Sequence, residues 1–119
     1  MMDITPPQEL RLSKDKTTLT VVFDPARRYD LTAELLRVES PSAEVKGHGG
    51  PKKLIWGKKG ITINDITPVG HYAVQLTFSD GHRTGIYTWA YLADLGAQKD
   101  AVWGRYLAAL IENGLTRES

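Results

Sequence analysis

The run Tyr72-Ala73-Val74-Gln75-Leu76-Thr77-Phe78, followed at once by Ser79-Asp80-Gly81-His82, constrains this chain more than any other stretch. Large apolar residues alternate with small or polar ones at the period of a pleated strand, so one face is meant for a core. Asp80-Gly81 then supplies the positive φ values of a tight type I′ turn, and Arg83 to Tyr87 is read as the returning strand. A β-hairpin therefore sits near the middle of the fold.

A second hairpin is legible earlier. Glu9 to Leu12 and Thr17 to Phe23 flank the polar turn Ser13-Lys14-Asp15-Lys16, and Leu19, Val21 and Phe23 alternate with other residues. Asp24-Pro25 ends it, because proline has no N–H to give to a ladder. Arg28 to Leu31 is a short extended piece leading to Thr32, an N-cap for a short helix with Glu34 in its first turn and Leu35-Leu36 behind it. After the central hairpin, Thr88 caps a helix carrying Trp89, Leu92 and Leu95, which Gly96 stops. A last helix runs from about Asp100 to Glu112 and ends at Asn113-Gly114. The expected fold is α+β with β dominant: one antiparallel sheet of about five to seven strands, a long central loop and two short C-terminal helices. One domain over residues 8–114, with disordered tails at 1–7 and 115–119, accounts for the 119 residues.

Between Ser40 and Gly60 the chain changes character, with five glycines and the lysines Lys46, Lys52, Lys53, Lys58 and Lys59. This stretch reads as a surface loop interrupted by a brief Leu54-Ile55-Trp56 strand. Long loops in compact domains tend to carry function, so it is the first place to look for a site. Overall charge gives no guidance, since 15 basic residues face 14 acidic ones. With no cysteine, thiolate metal ligation, disulfides and a cysteine nucleophile are all closed off. No apolar run approaches a membrane span, no secretory signal opens the chain, and a cytoplasmic location is expected. The three histidines, His48, His71 and His82, fall on separate elements with no i, i+4 pair. Neither a serine-hydrolase elbow nor a phosphate-binding loop is present: the glycines at 47–50 are followed by Pro51 rather than a helix start.

Three stretches together carry a family resemblance. They are Leu36-Arg37-Val38-Glu39-Ser40-Pro41-Ser42-Ala43-Glu44-Val45-Lys46-Gly47-His48-Gly49, Val69-Gly70-His71-Tyr72-Ala73-Val74, and Phe78-Ser79-Asp80-Gly81-His82-Arg83-Thr84-Gly85-Ile86-Tyr87-Thr88-Trp89. The chain resembles the N-terminal domain of γ-butyrobetaine hydroxylase and trimethyllysine hydroxylase, in the version that stands alone in bacteria as a domain of unknown function. The resemblance implies an accessory unit without the hydroxylase catalytic domain or its iron motif, and hence no catalytic residues. In the hydroxylases a zinc ion is held by a Cys-Pro-Cys-x-x-Cys run and a histidine in an Asp/Glu-x-His turn. Laid on this chain, those positions are Ser40, Ser42, Val45 and His82. Serine hydroxyls are poor zinc ligands and valine is none, so no metal and no other cofactor is expected. His82 is nonetheless expected to dock on the Ser40–Val45 segment through a hydrogen bond.

A similar module is fused to ATPases of iron–sulfur cluster assembly. The leading reading is therefore a binding module whose partner is another protein of a metal-cofactor or oxygenase system, with no membrane partner and with a homodimer compatible. Its candidate surface is His48, Lys52, Lys53, Trp56, Asp80 and His82. Two other readings stay open: a metal-binding or enzymatic protein using His48 and His82 with Asp80 and Glu44, and a nucleic-acid binder in which lysines 46–59 track phosphates and Trp56 stacks on a base.

Overall fold

The computed structural model describes residues 5–42, 45 and 53–118. Strands β1 (Glu9–Leu12), β2 (Thr18–Asp24) and β3 (Arg27–Thr32) form one antiparallel sheet in that order. Leu10 lies opposite Val21 and Leu12 opposite Leu19, so the alternation read from the sequence turns one face of β2 inward, with Leu19, Val21 and Phe23 buried. Helix α1 (Ala33–Val38) follows directly, capped as expected by Thr32, whose hydroxyl accepts the Leu35 N–H at 3.0 Å. Strands β4 (Ile63–Val69), β5 (Ala73–Phe78) and β6 (Ile86–Thr88) form a second antiparallel sheet, and α2 (Trp89–Glu112) completes the fold.

The expectation of one sheet of five to seven strands is thus corrected to two sheets of three. Helix α1 and the chain after it separate β3 from β4, and the sheets meet through side chains and a backbone bond from Ile63 N–H to the Lys16 carbonyl at 2.9 Å rather than a continuous ladder. Val74, Leu76 and Phe78 of β5 share one apolar cluster with Leu19 and Val21 of β2 and with Leu36, Trp89 and Leu92 of the helices. Hydrophobic burial is non-directional, so an inward-facing strand pattern is satisfied equally by one sheet or by two facing ones.

Two short C-terminal helices are likewise corrected to one helix of 24 residues. Gly96 does not stop it. A Cβ built there would lie 2.3 Å from Cγ and 2.6 Å from Cδ2 of Tyr29, so this glycine lets β3 pack closely against α2. The helix ends where expected. Gly114 has φ +66°, its N–H bonds the Ile111 carbonyl at 3.1 Å, and the Leu115 N–H bonds the Leu110 carbonyl at 2.9 Å, the pair of bonds of a Schellman cap.

Two local readings change as well. Leu54-Ile55-Trp56 is not a strand; its carbonyl at Ile55 accepts the Tyr106 hydroxyl at 2.8 Å instead. The turn after β5 is not type I′, since Asp80 lacks a positive φ and Gly81 alone has one, at 91°. Gly81 N–H bonds the Phe78 carbonyl and Phe78 N–H bonds the His82 carbonyl, each at 2.9 Å, as in a three-residue hairpin connection closed by a left-handed glycine. Residues 115–118, read as part of a tail, hydrogen-bond back to residues 57–59.

Candidate functional site

Helix α1 has only six residues, so most of its carbonyls find no partner within it. Two tyrosines take up this role. The Tyr87 hydroxyl donates to the Leu36 carbonyl at 2.6 Å, and the Tyr91 hydroxyl donates to the Glu39 carbonyl. Burial pushes both phenols well above their ordinary titration range, which keeps them neutral donors. The chain leaving α1 is thereby pinned against β6 and the start of α2, and Ser40 is carried to the floor of the site.

Ser40 is completely buried and its Oγ lies 2.9 Å from Nε2 of His82, itself only 8% exposed. The hydrogen bond expected between His82 and this segment is present. Ser42 N–H donates to Ser40 Oγ at 3.3 Å, Ser42 Oγ lies 2.7 Å from Thr84 Oγ1, and Val45 N–H donates to the Ser42 carbonyl at 3.0 Å. The fold therefore gathers Ser40, Ser42, Val45 and His82, four positions up to 42 residues apart in the chain. Gly85 permits it, because a Cβ there would fall 2.4 Å from Ser40 Oγ. Nothing in the sequence distinguished that glycine from an ordinary loop residue.

Asp80 orders the turn from below. Its Oδ1 accepts the His82 backbone N–H at 3.0 Å, and its Oδ2 takes Arg37 Nε and Lys58 Nζ, both at 2.8 Å. Partial burial opposes the carboxylate form, but Lys58, the His82 N–H and Arg37 together outweigh it and lower the carboxyl from 3.8 to about 2. Arg37, absent from the sequence-derived surface, is thus a structural partner of the turn. Its Nη1 is buried with no hydrogen-bond partner among the described residues.

This arrangement contains a serine hydroxyl on a histidine ring with an aspartate close by, yet it is not disposed for nucleophilic catalysis. Asp80 reaches the backbone of His82, its basicity is spent on two cations, and Ser40 has no surface onto which a substrate carbonyl could be placed. Nor do the residues fit a zinc ion. The four positions offer one imidazole, already bonded to Ser40, two hydroxyls and an isopropyl group. Among the described residues no three His, Cys, Asp or Glu side chains gather as a metal-binding group. The Ser40–His82 bond occupies the place where the resemblance puts metal.

The second candidate region is residues 53–59. Trp56 is 51% exposed, while the backbone around it is held by Tyr106 at Ile55 and by bonds of 3.0 Å from Gly57 N–H to the Thr116 carbonyl and from Lys59 N–H to the Arg117 carbonyl. Lys58 is engaged by Asp80, and Lys59 pairs at 3.0 Å with Glu118. Lys53 is exposed, and His48 and Lys52 lie outside the described residues, as do Glu44 and Lys46. A cleft of about 450 Å³ opens beside this segment, lined by Glu39, Lys53, Ile55, Arg105 and Tyr106 among others. Of the sequence-derived surface, the fold joins Asp80 and His82 in one network and reaches it from the Trp56 segment through Lys58.

Fold and site together define a small α+β domain in which a hairpin-turn histidine docks on a serine-bearing loop. The family model described as γ-butyrobetaine hydroxylase-like, N-terminal, matches residues 10–93, and the chain belongs to that family. Two solved NMR solution structures are similar to it over nearly the whole length. One is 44% identical with a TM-score of 0.85, covering 98% of this chain and 92% of the other. The second is 45% identical with a TM-score of 0.82, covering 97% and 86%. A crystal structure of a protein of unknown function from Acidithiobacillus ferrooxidans, assigned to a domain-of-unknown-function family, is 42% identical with a TM-score of 0.66 and covers 80% of this chain and 98% of that one. These neighbours agree with a stand-alone relative of the hydroxylase N-terminal domain. No curated protein matches the chain. Among the described residues no helix is long and apolar enough to cross a membrane.

Proposed function

We propose that this chain is a non-catalytic accessory module that binds another protein through the Trp56 segment. The observation that carries the reading is an exposed indole on a backbone fixed from both sides, by Tyr106 at Ile55 and by residues 116 and 117 at Gly57 and Lys59. An indole carried on a fixed backbone leaves less chain entropy to be lost on binding than one on a free loop, and tryptophan is enriched at interface hot spots. Exposed Lys53 and the Lys59–Glu118 pair supply a polar rim. The family's association with hydroxylases makes a protein of a metal-cofactor or oxygenase system the partner to look for, in the cytoplasm.

The alternative of a nucleic-acid groove loses support from the ion pairs of Lys58 and Lys59, which leave fewer free cations to neutralise phosphate. A metal-binding role loses support from the donor set at His82. The test is co-purification of the full chain from its native cell, with the Trp56→Ala variant alongside. Loss of one defined protein from the variant supports the reading; identical protein sets from both overturn it. Binding of single-stranded oligonucleotide with a steep salt dependence would favour the groove instead.

A further inference from the structure

Glu34 stands in the apolar sequence Ala33-Glu34-Leu35-Leu36 and is only 5% exposed, a costly place for a carboxylate. Arg117 answers it with a two-pronged contact, Nε to Oε2 at 2.9 Å and Nη2 to Oε1 at 2.7 Å. The guanidinium carbon also lies 5.3 Å from the centre of the Trp103 ring. A planar fork on a carboxylate with an aromatic wall is specific to arginine, since lysine offers a point charge without the paired donors. On either side, the N–H groups of Gly57 and Lys59 bind the carbonyls of Thr116 and Arg117 as they would those of any extended peptide.

We infer that Glu34, Trp103 and the 57–59 backbone form a recognition site for an arginine in an extended peptide segment. Residues 116–118 are its internal occupant, and an arginine-bearing segment of a partner protein displaces them. Every receptor group belongs to α1, α2 or the 57–59 segment, and when the occupant leaves that segment is still held by Tyr106 at Ile55 and by Asp80 at Lys58. The occupant itself belongs to no helix or strand, and its Lys59–Glu118 pair is largely exposed and worth little. Apart from the Glu34–Arg117 contact itself, such a segment opens at lower cost than the core. Opening strands a buried carboxylate, which favours capture of another guanidinium over remaining empty. A cleft of about 330 Å³ adjoins the pair, with Asp30 and Asp100 adding negative charge and Lys99 the one further cation on its lining. The inference rests on the binding-module reading only for the source of the displacing segment; the site is separate from the Trp56 side chain.

The test uses the full chain carrying Arg117→Ala and the peptide acetyl-Leu-Thr-Arg-Glu-amide, followed by calorimetry and by the amide signals of Gly57 and Lys59 and the Trp103 indole signal. The variant should bind the peptide at least about tenfold more tightly than the unsubstituted chain, because apparent affinity falls with the fraction of sites already filled. Replacing the peptide's arginine by lysine should weaken binding, and adding Glu34→Gln to the variant should abolish it. Equal binding by variant and unsubstituted chain, or binding indifferent to Glu34→Gln, overturns the inference. If Arg117→Ala does not fold, the unsubstituted chain decides: millimolar peptide must shift the same three signals, and no shift overturns the site. Peptide binding with no effect of Trp56→Ala on co-purification would retain this site while rejecting the Trp56 surface.

Discussion

At the scale of single residues, His82 shows how a side chain is kept when the chemistry suggested by its family is gone. Its ring is bonded to a fully buried hydroxyl and lies 6.1 Å, centre to centre, from the Phe78 ring. His82→Ala would leave Ser40 short of a partner and should cost about 1 to 3 kcal/mol without unfolding the domain. Trp89→Ala, by contrast, deletes a core indole whose Nε1 bonds the His71 carbonyl at 2.7 Å, and should cost about 3 to 5 kcal/mol. Thermal melts separate the two. Amide exchange at Ser42 must also rise in His82→Ala; unchanged protection there would show that the bond does not hold the loop. Asp80 makes a pH-dependent contribution. Its folded carboxyl titrates near 2 against an ordinary 3.8, so its stabilisation is complete above the ordinary value and disappears as pH falls through about 2. The gap in urea stability between the unsubstituted chain and Asp80→Asn should be about 2 kcal/mol at neutral pH and close steadily below pH 4. A gap independent of pH would mean that the carboxylate's charge is not what matters.

At the scale of elements, α2 is instructive because it contains two interior glycines with opposite surroundings. A Cβ at Gly104 meets nothing within 4 Å, whereas one at Gly96 collides with the Tyr29 ring. Gly104→Ala should therefore stabilise by about 1 kcal/mol through helix propensity alone. Gly96→Ala gains the same propensity but must displace an aromatic ring, for a net loss of about 1 to 3 kcal/mol. Chemical denaturation of the two variants checks the contrast, and stabilisation by Gly96→Ala would show that Tyr29 moves aside freely. The same glycine explains why local signals divide one long helix into two. Gly96 looks like a stop when only local signals are weighed, and its true role, close approach to β3, involves a residue 67 positions earlier. Strand β2, the Thr32 and Thr88 caps and the Asn113-Gly114 ending were legible because each depends on neighbours within a few residues. The hairpin after β5 is legible as a hairpin, but its returning strand is Ile86–Thr88 rather than Arg83 to Tyr87, and its turn type is not legible, because Asp-Gly serves both a two-residue loop and a three-residue loop with a left-handed glycine.

At the scale of the whole molecule, the fold brings the four family metal positions together although this sequence supplies no metal-binding donor set there. It follows that thiolates restored at those positions should find a metal. The combined variant Ser40→Cys, Ser42→Cys, Val45→Cys should bind about one zinc per chain with His82 and melt higher with zinc than without, while the unsubstituted, tag-free chain carries zinc and iron far below one per chain. Elemental analysis decides, and an equal zinc content in both would remove the argument. What the sequence determined by itself was the local and the compositional: the strands β1, β2 and β5, the Thr32 and Thr88 caps, that no thiolate site exists, and which family the motifs resemble. Tertiary structure alone decided that the strands divide into two sheets, that Arg37 and Lys58 converge on Asp80, that Gly85 admits Ser40, and that Glu34 meets Arg117 across 83 residues. The division has a physical cause. Alternation, capping and turn chemistry act over a few residues and leave a periodic trace, whereas ion pairs and close approaches join residues whose separation along the chain carries no pattern.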